Sequence, residues 1–526
     1  MPIVTVIYQK KQFHIEIQKQ TNLLNLLLQS QIPIQAPCGG HGGCGKCKVL
    51  LRDREKESEV LACRTFVDHN CIVEIPPSSL LLSSISEDYE TSHASDFSNQ
   101  THRYGAAVDL GSTTVVVSLI SLDSEMVIGT KKEWNVQISY GSDVISRLKY
   151  IQDHADGLFH LSNLIQEQIL RMINEICEKT DISFKNIEKM VLSGNTIMQH
   201  IFAGIDPSPI ATAPYIPKTF FCEDKFYQLG LFPNMKIRFL PCISGFVGGD
   251  VTSGLLASEL YKKDGTYLFL DVGTNGEMAI GGKNGFLTCS VASGPAFEGA
   301  EITCGMTSSP GAINHIEWKE NQCKFHLHTI DDAIPIGICG SGLIDLLAIL
   351  LDIGLLDETG RLLSEKEAKA KLSRITLARL KHSLGYHFLE DDTNGNGIFY
   401  LKRSPNIFLT LSDVRKIQLA KAAIAAGIRI LLKASGKHLS EIDGLYIAGG
   451  FGKSLNAENA TKIGMIPSEL TDRITCIGNS SLAGAAKLLF DEELPQTAME
   501  IVRNCEYIEL SGNPAFSDEF IKQMNL

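Results

Sequence analysis

Four cysteines near the start of the chain limit its possible folds more than any other feature. They follow the spacing C-x5-C-x2-C-x15-C and are Cys38, Cys44, Cys47 and Cys63. The first three lie in a ten-residue segment that contains five glycines. Because glycine permits positive φ angles and carries no Cβ, such a loop can turn several thiolates toward one centre. The spacing therefore predicts a 2Fe-2S cluster bound by these four thiolates.

Two alternatives to this ligand set remain open. The C-x2-C pair is also half of a zinc site, although the long gap before Cys63 disfavours zinc. A fifth cysteine, Cys71, could replace Cys63 as the fourth ligand. The segment 60–65 resembles the fourth-ligand segment of ferredoxins, which favours Cys63.

The residues around the cysteines predict a small β-rich domain. Strands are expected at 3–7, 13–17, 48–51 and 71–75 because apolar and β-branched residues are concentrated there. Thr21 is expected to cap a helix over 22–31. The order β-β-α-loop-β-β resembles that of β-grasp ferredoxins. We therefore predict a ferredoxin-like domain over 1–77, followed by a flexible linker over 78–103, which is rich in serine and acidic residues.

Charge and hydropathy exclude several classes of function. Acidic residues number 60 against 48 lysines and arginines, so the net charge is −12. This balance argues against binding to nucleic acid or to an anionic membrane surface. The sequence shows neither a secretion signal nor an uninterrupted apolar run of about 20 residues, so a cytoplasmic protein without a membrane anchor is expected.

A strand that ends in an acidic glycine turn occurs twice, about 160 residues apart. The first turn begins at Asp109 and the second at Asp271. Amides and hydroxyls after such an aspartate can hold phosphate oxygens while the carboxylate orients Mg²⁺ or a water. The candidate phosphate-binding residues are Gly111, Ser112, Thr113, Thr114, Gly273, Thr274, Asn275, Gly276 and Glu277. The repeat predicts two related halves, 104–262 and 263–526, although an ordinary tight turn would explain either motif alone.

Other glycine-containing and polar segments have two interpretations each. A further strand-glycine segment could line an adenosine pocket and contains Gly449, Gly450, Gly452 and Lys453. Asp250 could be another magnesium or water ligand, or the cap of a helix over 251–260. Ser341 could present an exposed hydroxyl or lie in a helix-entry turn. The polar residues Asn135, Gln137 and Arg147 are expected to serve turns and caps.

The chain order of these motifs resembles the phosphate-1, phosphate-2 and adenosine elements of the superfamily of acetate and sugar kinases, heat-shock ATPases and actin. This resemblance implies a multidomain α/β protein with a duplicated ribonuclease-H-like ATPase fold after the ferredoxin-like domain. The chain contains no Walker A sequence, which disfavours a P-loop ATPase.

The whole chain resembles the reductive activators of corrinoid proteins. The resemblance rests on the four cysteines, the two acidic turns, the segment 448–453, the segment 293–299 and the segment 340–342. It implies ATP-dependent transfer of one electron from a 2Fe-2S cluster to Co(II), which regenerates Co(I) for methyl transfer. Mg²⁺, a corrinoid protein partner, a flavodoxin or ferredoxin donor and a homodimer are also implied. Asp109 and Asp271 would then act on Mg²⁺ and the attacking water, and Ser341 is the candidate cobalt contact.

Three other functions would also use this combination of features. One is a small-molecule kinase of the acetate and sugar kinase type that is regulated by the redox state of its cluster. Another is a nucleotide-gated clamp that binds a partner without chemistry. A third is activation of a radical dehydratase, although those activators usually hold a 4Fe-4S cluster between subunits.

Overall fold

The computed structural model describes the chain from Met1 to Leu526. The residues outside the description are 9–10, 18, 31, 33, 35–39, 41, 43–44, 46, 54–55, 77–78, 80–102, 142, 300, 323, 385–388, 392–396, 405 and 450–453. The predicted linker, 78–103, lies outside the described residues apart from Ser79 and Arg103. The chain forms an N-terminal unit, 1–219 with 225–239, and a C-terminal unit, 220–224 with 240–526. The domain boundaries given above stay a prediction.

The described residues among the first 76 form a β-grasp-like arrangement of strands around a helix. Its elements are β1 (Ile3–Tyr8), β2 (Lys11–Glu16), β3 (Thr21–Asn22), α1 (Leu23–Gln29), β4 (Lys48–Asp53), β5 (Lys56–Leu61), β6 (Phe66–Val67) and β7 (Cys71–Glu74). The main sheet has the order β2-β1-β7-β4-β5, and β3 pairs with β6. Leucines of α1 pack on this sheet because their spacing places them on one face. The predicted cap was wrong: Asn22, not Thr21, accepts the Asn25 amide.

The rest of the N-terminal unit is a five-stranded sheet with helices. Its elements are β8 (Tyr104–Leu110), β9 (Thr114–Ser121), β10 (Val127–Trp134), α2 (Val144–Asp153), α3 (Gly157–Thr180), β11 (Ile187–Gly194), α4 (Thr196–Phe202) and β12 (Lys236–Phe239). The strand order is β10-β9-β8-β11-β12. The strands β8, β9 and β10 are antiparallel neighbours, whereas β11 runs parallel to both β8 and β12.

The C-terminal unit contains a second sheet of the same design. Its first elements are α5 (Gly249–Ser258), β13 (Tyr267–Val272), β14 (Gly276–Gly282), β15 (Gly285–Val291), β16 (Ala312–Lys319), β17 (Lys324–Thr329), β18 (Gly337–Ile338), α6 (Gly340–Asp352), α7 (Glu365–Lys371) and α8 (Arg374–Leu384). Then follow β19 (Leu389–Asp391), β20 (Gly397–Arg403), β21 (Asn406–Thr410), α9 (Leu411–Ser435), β22 (Gly444–Gly449), α10 (Ala457–Lys462), β23 (Ile474–Gly478), α11 (Ser480–Phe490), α12 (Leu494–Arg503), β24 (Cys505–Tyr507) and α13 (Pro514–Lys522). The main sheet has the order β23-β22-β13-β14-β15-β24.

The predicted duplication is visible in the topology of the two sheets. In each sheet, the central strand pairs antiparallel with the next strand of the chain, which pairs antiparallel with the strand after it. On the other side of the central strand lie two strands that run parallel to it. The second sheet has one further strand, β24, beside β15. The central strands are β8 and β13, and each ends in an acidic glycine turn. The predicted multidomain α/β class, with a duplicated ATPase-type fold, is therefore confirmed.

Helices cover the second sheet with apolar and small residues. The long helix α9 is buried along most of its length and is followed by Gly436, whose φ of 66° is a left-handed cap conformation. The helix α11 packs closely on α5: a Cβ at Gly484 would overlap the Ser253 carbonyl oxygen. In the described part of the chain, no helix combines the length and the apolar character that crossing a membrane requires.

Candidate functional site

Two of the four predicted cluster ligands meet at one end of the β4–β5 hairpin. Cys47 directly precedes β4, and Cys63 lies in a 3₁₀ turn directly after β5. The strands are paired so that Lys48 lies opposite Leu61, and the Ala62 amide donates to the Cys47 carbonyl oxygen at 2.8 Å. Both cysteines are buried. The pairing of β4 with β5 therefore brings together two cysteines that are separated in the sequence.

Gly40, a described residue of the glycine-rich segment, lies beside Cys63. Gly40, Gly42 and Gly45 have φ angles of 85°, 76° and 66°, which side-chain-bearing residues rarely adopt. A Cβ at Gly40 would lie 3.9 Å from the Cβ of Cys63. The positive φ angles of these three glycines are the conformations that the predicted cluster-binding segment requires. The other two predicted ligands, Cys38 and Cys44, lie outside the described residues.

The alternative fourth ligand, Cys71, lies at the other end of the sheet. The pairing of Ile72 with Arg52 places Cys71 near the last residue of β4, whereas Cys47 precedes the first. With about 3.4 Å per residue, the length of β4 separates the two cysteines by about 20 Å. Burial, with a smaller contribution from the Asp53 charge, raises the pKa of the Cys71 thiol to about 11. A protonated thiol at this distance does not suit a cluster that Cys47 also binds.

The first acidic turn connects β8 to β9. Asp109 lies near the end of β8, opposite Val116 on β9 and Ser193 on β11. The turn is tight, because a Cβ at Gly111 would lie 3.6 Å from the Thr114 amide nitrogen and even closer to its carbonyl oxygen. Ser112 and Thr114 are half-buried and Thr113 is buried. The predicted residues Gly111 to Thr114 are thus brought together in one compact loop after Asp109.

The second acidic turn connects β13 to β14 in the same way. Asp271 lies opposite Glu277 across the hairpin, and the Gly273 amide donates to the Asn275 carbonyl oxygen at 2.9 Å. The Thr274 hydroxyl donates to Oε2 of Glu298 at 2.9 Å. Glu298 belongs to the segment 293–299, but its contact with the turn could not be inferred from local sequence. A Cβ at Gly276 would lie 2.9 Å from the Val291 side chain, so packing favours glycine there.

Carboxylates cluster around the second turn. Burial, followed by the charges of Asp250 and Asp271, raises the pKa of Glu277 well above its ordinary value, while a hydrogen bond from Asn275 acts in the opposite direction. Asp250 lies in the first turn of α5, whose cap is Gly248, so the predicted capping role for Asp250 was wrong. Glu277 is therefore a carboxyl group that favours its protonated form beside two other carboxylates.

Replacing Glu277 by glutamine tests this protonation state. Because a raised pKa means that the folded form binds a proton more tightly, wild-type stability falls relative to E277Q as the pH rises above the ordinary glutamate value. Each unit of raised pKa is worth about 1.4 kcal/mol. We expect similar melting temperatures near pH 4.5, with E277Q increasingly the more stable variant up to pH 8. Thermal unfolding at several pH values measures the difference.

The matched control for E277Q is E317Q. Glu317 is half-buried, and its pKa is lowered, first by a hydrogen bond from Lys319, so its replacement should give no increase in stability with pH. A stability difference between wild type and E277Q that is constant from pH 4.5 to pH 8 would contradict the protonation state inferred for Glu277.

The predicted adenosine segment begins beside Asp271. Gly449 ends β22 and pairs with Val272. Its φ is 95°, and a Cβ there would lie 2.7 Å from Oδ1 of Asp271 and would overlap the Val272 carbonyl oxygen. Glycine is therefore needed both for the backbone conformation and for the close approach. Gly450, Gly452 and Lys453 lie outside the described residues.

Ser341 lies in the first turn of α6, which begins at Gly340, so the helix-entry interpretation is confirmed. Its side chain is 2% exposed, and its hydroxyl donates to the Asn314 carbonyl oxygen at 2.7 Å. A role in contacting cobalt would require this hydroxyl to become exposed, and the role stays a prediction.

Among the described residues, histidine, cysteine, aspartate and glutamate side chains form no group of three or more that could bind a metal ion. This statement does not extend to Cys38 and Cys44. For Mg²⁺, Asp109 and Asp271 remain candidate residues through the chemistry of their turns. No described geometry assigns the ion to them.

Comparisons with known proteins cover almost the whole chain. Residues 6–68 match a 2Fe-2S iron-sulfur cluster binding domain, 104–263 match the RACo middle region, and 265–526 match the C-terminal domain of RACo, the ASKHA domain. The chain is 28% identical to the corrinoid activation enzyme RamQ of Eubacterium limosum, over 98% of each protein. It is 24% identical to a [Co(II) methylated amine-specific corrinoid protein] reductase of Methanosarcina barkeri, over 80% of this chain and 77% of the relative.

A solved structure is similar over the full length of the chain. It is that of a reductive activator for corrinoid, iron-sulfur protein, which is 30% identical to this chain. The match covers 100% of this chain and 98% of the other, with a TM-score of 0.72. The similarity thus includes the cysteine-bearing domain and both sheets that carry acidic turns.

Proposed function

Because the chain belongs to the family of reductive activators of corrinoid proteins, we propose that it returns the Co(II) form of a corrinoid protein to Co(I) in an ATP-dependent reaction. The observation that carries this proposal is the presence, in one chain, of a ferredoxin-type domain and a duplicated ATPase-type fold. The names of the matched relatives refer to corrinoid activation and Co(II) corrinoid reduction, which supports the choice of acceptor.

Cys38, Cys44, Cys47 and Cys63 are proposed to hold a 2Fe-2S cluster. The fit rests on the two described thiols at one end of β4 and β5 and on the left-handed glycines beside them. Such a cluster, when bound, supplies electrons one at a time. The domain packs Cys47 and Cys63 in a largely dry environment, because both side chains are less than a tenth exposed. A flavodoxin or ferredoxin is the proposed donor.

The two acidic turns are proposed to bind nucleotide. Asp109 and Asp271 are assigned to Mg²⁺ and to orientation of the attacking water, which is the role that carboxylates at such turns can perform. The loop residues Gly111 to Thr114 and Gly273 to Glu277 are assigned to the phosphates. Gly449, Gly450, Gly452 and Lys453 are assigned to the adenosine part.

Coupling to ATP has a physical reason. Plant-type 2Fe-2S ferredoxins have potentials of about −400 mV, which does not suffice for every one-electron acceptor. For a one-electron couple, about 59 mV corresponds to a tenfold change in the equilibrium constant. A nucleotide that binds two conformations with different affinity can shift such an equilibrium. We infer that ATP turnover changes the surroundings of the acceptor. We further propose that the protein acts as a homodimer.

The test is to mix the reconstituted, reduced protein with a Co(II) corrinoid protein and follow the cobalt absorbance. We expect conversion to Co(I) with Mg-ATP and far slower conversion without it. Equal rates with and without Mg-ATP would contradict ATP coupling. A reconstituted protein without an iron-sulfur spectrum would contradict the whole proposal.

A further inference from the structure

Three fully buried polar residues lie beneath the first acidic turn. Asn135, Gln137 and Arg147 are each 0% exposed. Buried polar groups are costly unless they are hydrogen-bonded, and a buried guanidinium is the most costly of these. Burial lowers the pKa of Arg147 to about 9, against a smaller opposite effect of the Asp143 charge, so the guanidinium remains positively charged at neutral pH.

The hydrogen bonds of this group hold three consecutive carbonyl groups of the loop. The Asn135 side chain donates to the Gly111 oxygen at 2.9 Å, and the Asn135 amide donates to the Thr113 oxygen at 2.9 Å. Between them, Nη2 of Arg147 donates to the Ser112 oxygen.

Gln137 connects the two residues that hold the loop. The backbone N–H of Gln137 donates to Oδ1 of Asn135 at 2.9 Å. The side-chain Oε1 of Gln137 accepts from Nη1 of Arg147 at 3.3 Å. Nε of Arg147 donates to the Gly141 carbonyl oxygen at 3.1 Å. These contacts fix the position of the guanidinium relative to Asn135.

The direction of the carbonyl groups determines the direction of the amides. In a trans peptide the C=O and the following N–H point to opposite sides. Because the Gly111 and Ser112 carbonyls point toward Asn135 and Arg147, the Ser112 and Thr113 N–H groups are directed to the opposite side of the loop. Consecutive amides directed to one side form a concave site for anions.

We propose that Arg147 and Asn135 are positioning residues that hold the 111–114 loop so that its amides face the phosphates of a bound nucleotide. This inference rests on the proposed function, because it takes the nucleotide as the ligand of the loop. Arg147 also contributes its charge. The acceptors named above are uncharged, and a cation bonded to a peptide carbonyl polarises that peptide and strengthens its N–H as a donor.

The inference separates phosphate binding from adenosine binding. Calorimetric titrations with ATP and with adenosine compare the full-length wild type with R147M, which removes the charge and the donors at similar volume. We expect R147M to bind ATP about tenfold or more weakly, since charge-assisted hydrogen bonds are lost, and to bind adenosine unchanged. R147K retains the cation but not the forked donors, so its ATP affinity should lie between those of wild type and R147M. The iron-sulfur spectrum should be the same in all three proteins.

Q166L is the matched control, because Gln166 is a buried polar residue of the same unit. Its side chain donates to Ser162 and Phe202 and not to the loop. Q166L should lower the melting temperature while ATP affinity stays at the wild-type value.

If R147M does not fold, R147K provides the test. The inference is overturned if the ratio of ATP affinity to adenosine affinity in R147K equals the wild-type ratio. Equal loss of ATP and adenosine affinity would also overturn it. Wild-type protein that does not bind ATP would instead contradict the proposed function.

Discussion

The C63A variant should lose its 2Fe-2S absorbance and with it all cobalt reduction above the level seen without protein. The cluster needs four thiolates, and alanine offers no ligand atom in place of the thiol. Cys63 lies in a short 3₁₀ turn, and its own carbonyl oxygen accepts a hydrogen bond from the Asn22 side chain at 3.0 Å. The surrounding backbone therefore has support that does not depend on the thiol. Visible and electron paramagnetic resonance spectra of the reconstituted variant measure the loss, together with the rate of Co(I) formation.

The control for C63A is C71A. Cys71 is 6% exposed, lies at the opposite end of β4, and has a raised pKa that keeps its thiol protonated. C71A should retain the wild-type spectrum and rate and lose only some stability, because a buried sulfur atom is removed. If C71A lost the cluster and C63A kept it, the proposed ligand set would be wrong.

The D271N variant should hydrolyse ATP about 100-fold more slowly than wild type while keeping its iron-sulfur spectrum. Asparagine has the shape of aspartate but not its charge, so it would orient Mg²⁺ or a water poorly, and losses of this size are usual for groups that act on the reacting atoms. The close approach of Gly449 to Asp271 leaves little room for the side chain to move. Phosphate release and ATP-dependent Co(I) formation, measured on the same samples, should fall together.

D264N is the control for D271N. Asp264 lies in the loop before β13, is 82% exposed, and pairs with Lys283 on the surface. Exposed ion pairs contribute little to stability, so D264N should match wild type in ATP hydrolysis and melting temperature. Unchanged ATP hydrolysis in D271N would show that Asp271 has no role in turnover. The protein would then be better explained as a clamp that binds nucleotide without hydrolysing it through this residue.

Much of this molecule could be predicted because its signals are local. The spacing from Cys38 to Cys63 sets which thiols one loop and one hairpin can deliver. A strand followed by an aspartate and glycines shows where a tight turn lies, since only a few residue types suit such a turn. The recurrence of that motif at Asp109 and Asp271 indicated the duplication that the two sheets confirm.

The remaining features depend on contacts between residues far apart in the chain. Sequence alone favoured Cys63 as the fourth ligand without excluding Cys71, and the pairing of β4 with β5 and β7 places the two cysteines at opposite ends of a strand. It attributed Arg147 to turns and caps, whereas the fold buries the guanidinium under a loop 35 residues earlier. Nor did it reveal that Gly449 borders Asp271. Local spacing determined the kinds of chemistry available to this chain, because turn geometry and ligand type depend on neighbouring residues. Strand register and burial decided which groups meet and which of them stay charged, because both arise only when distant segments pack.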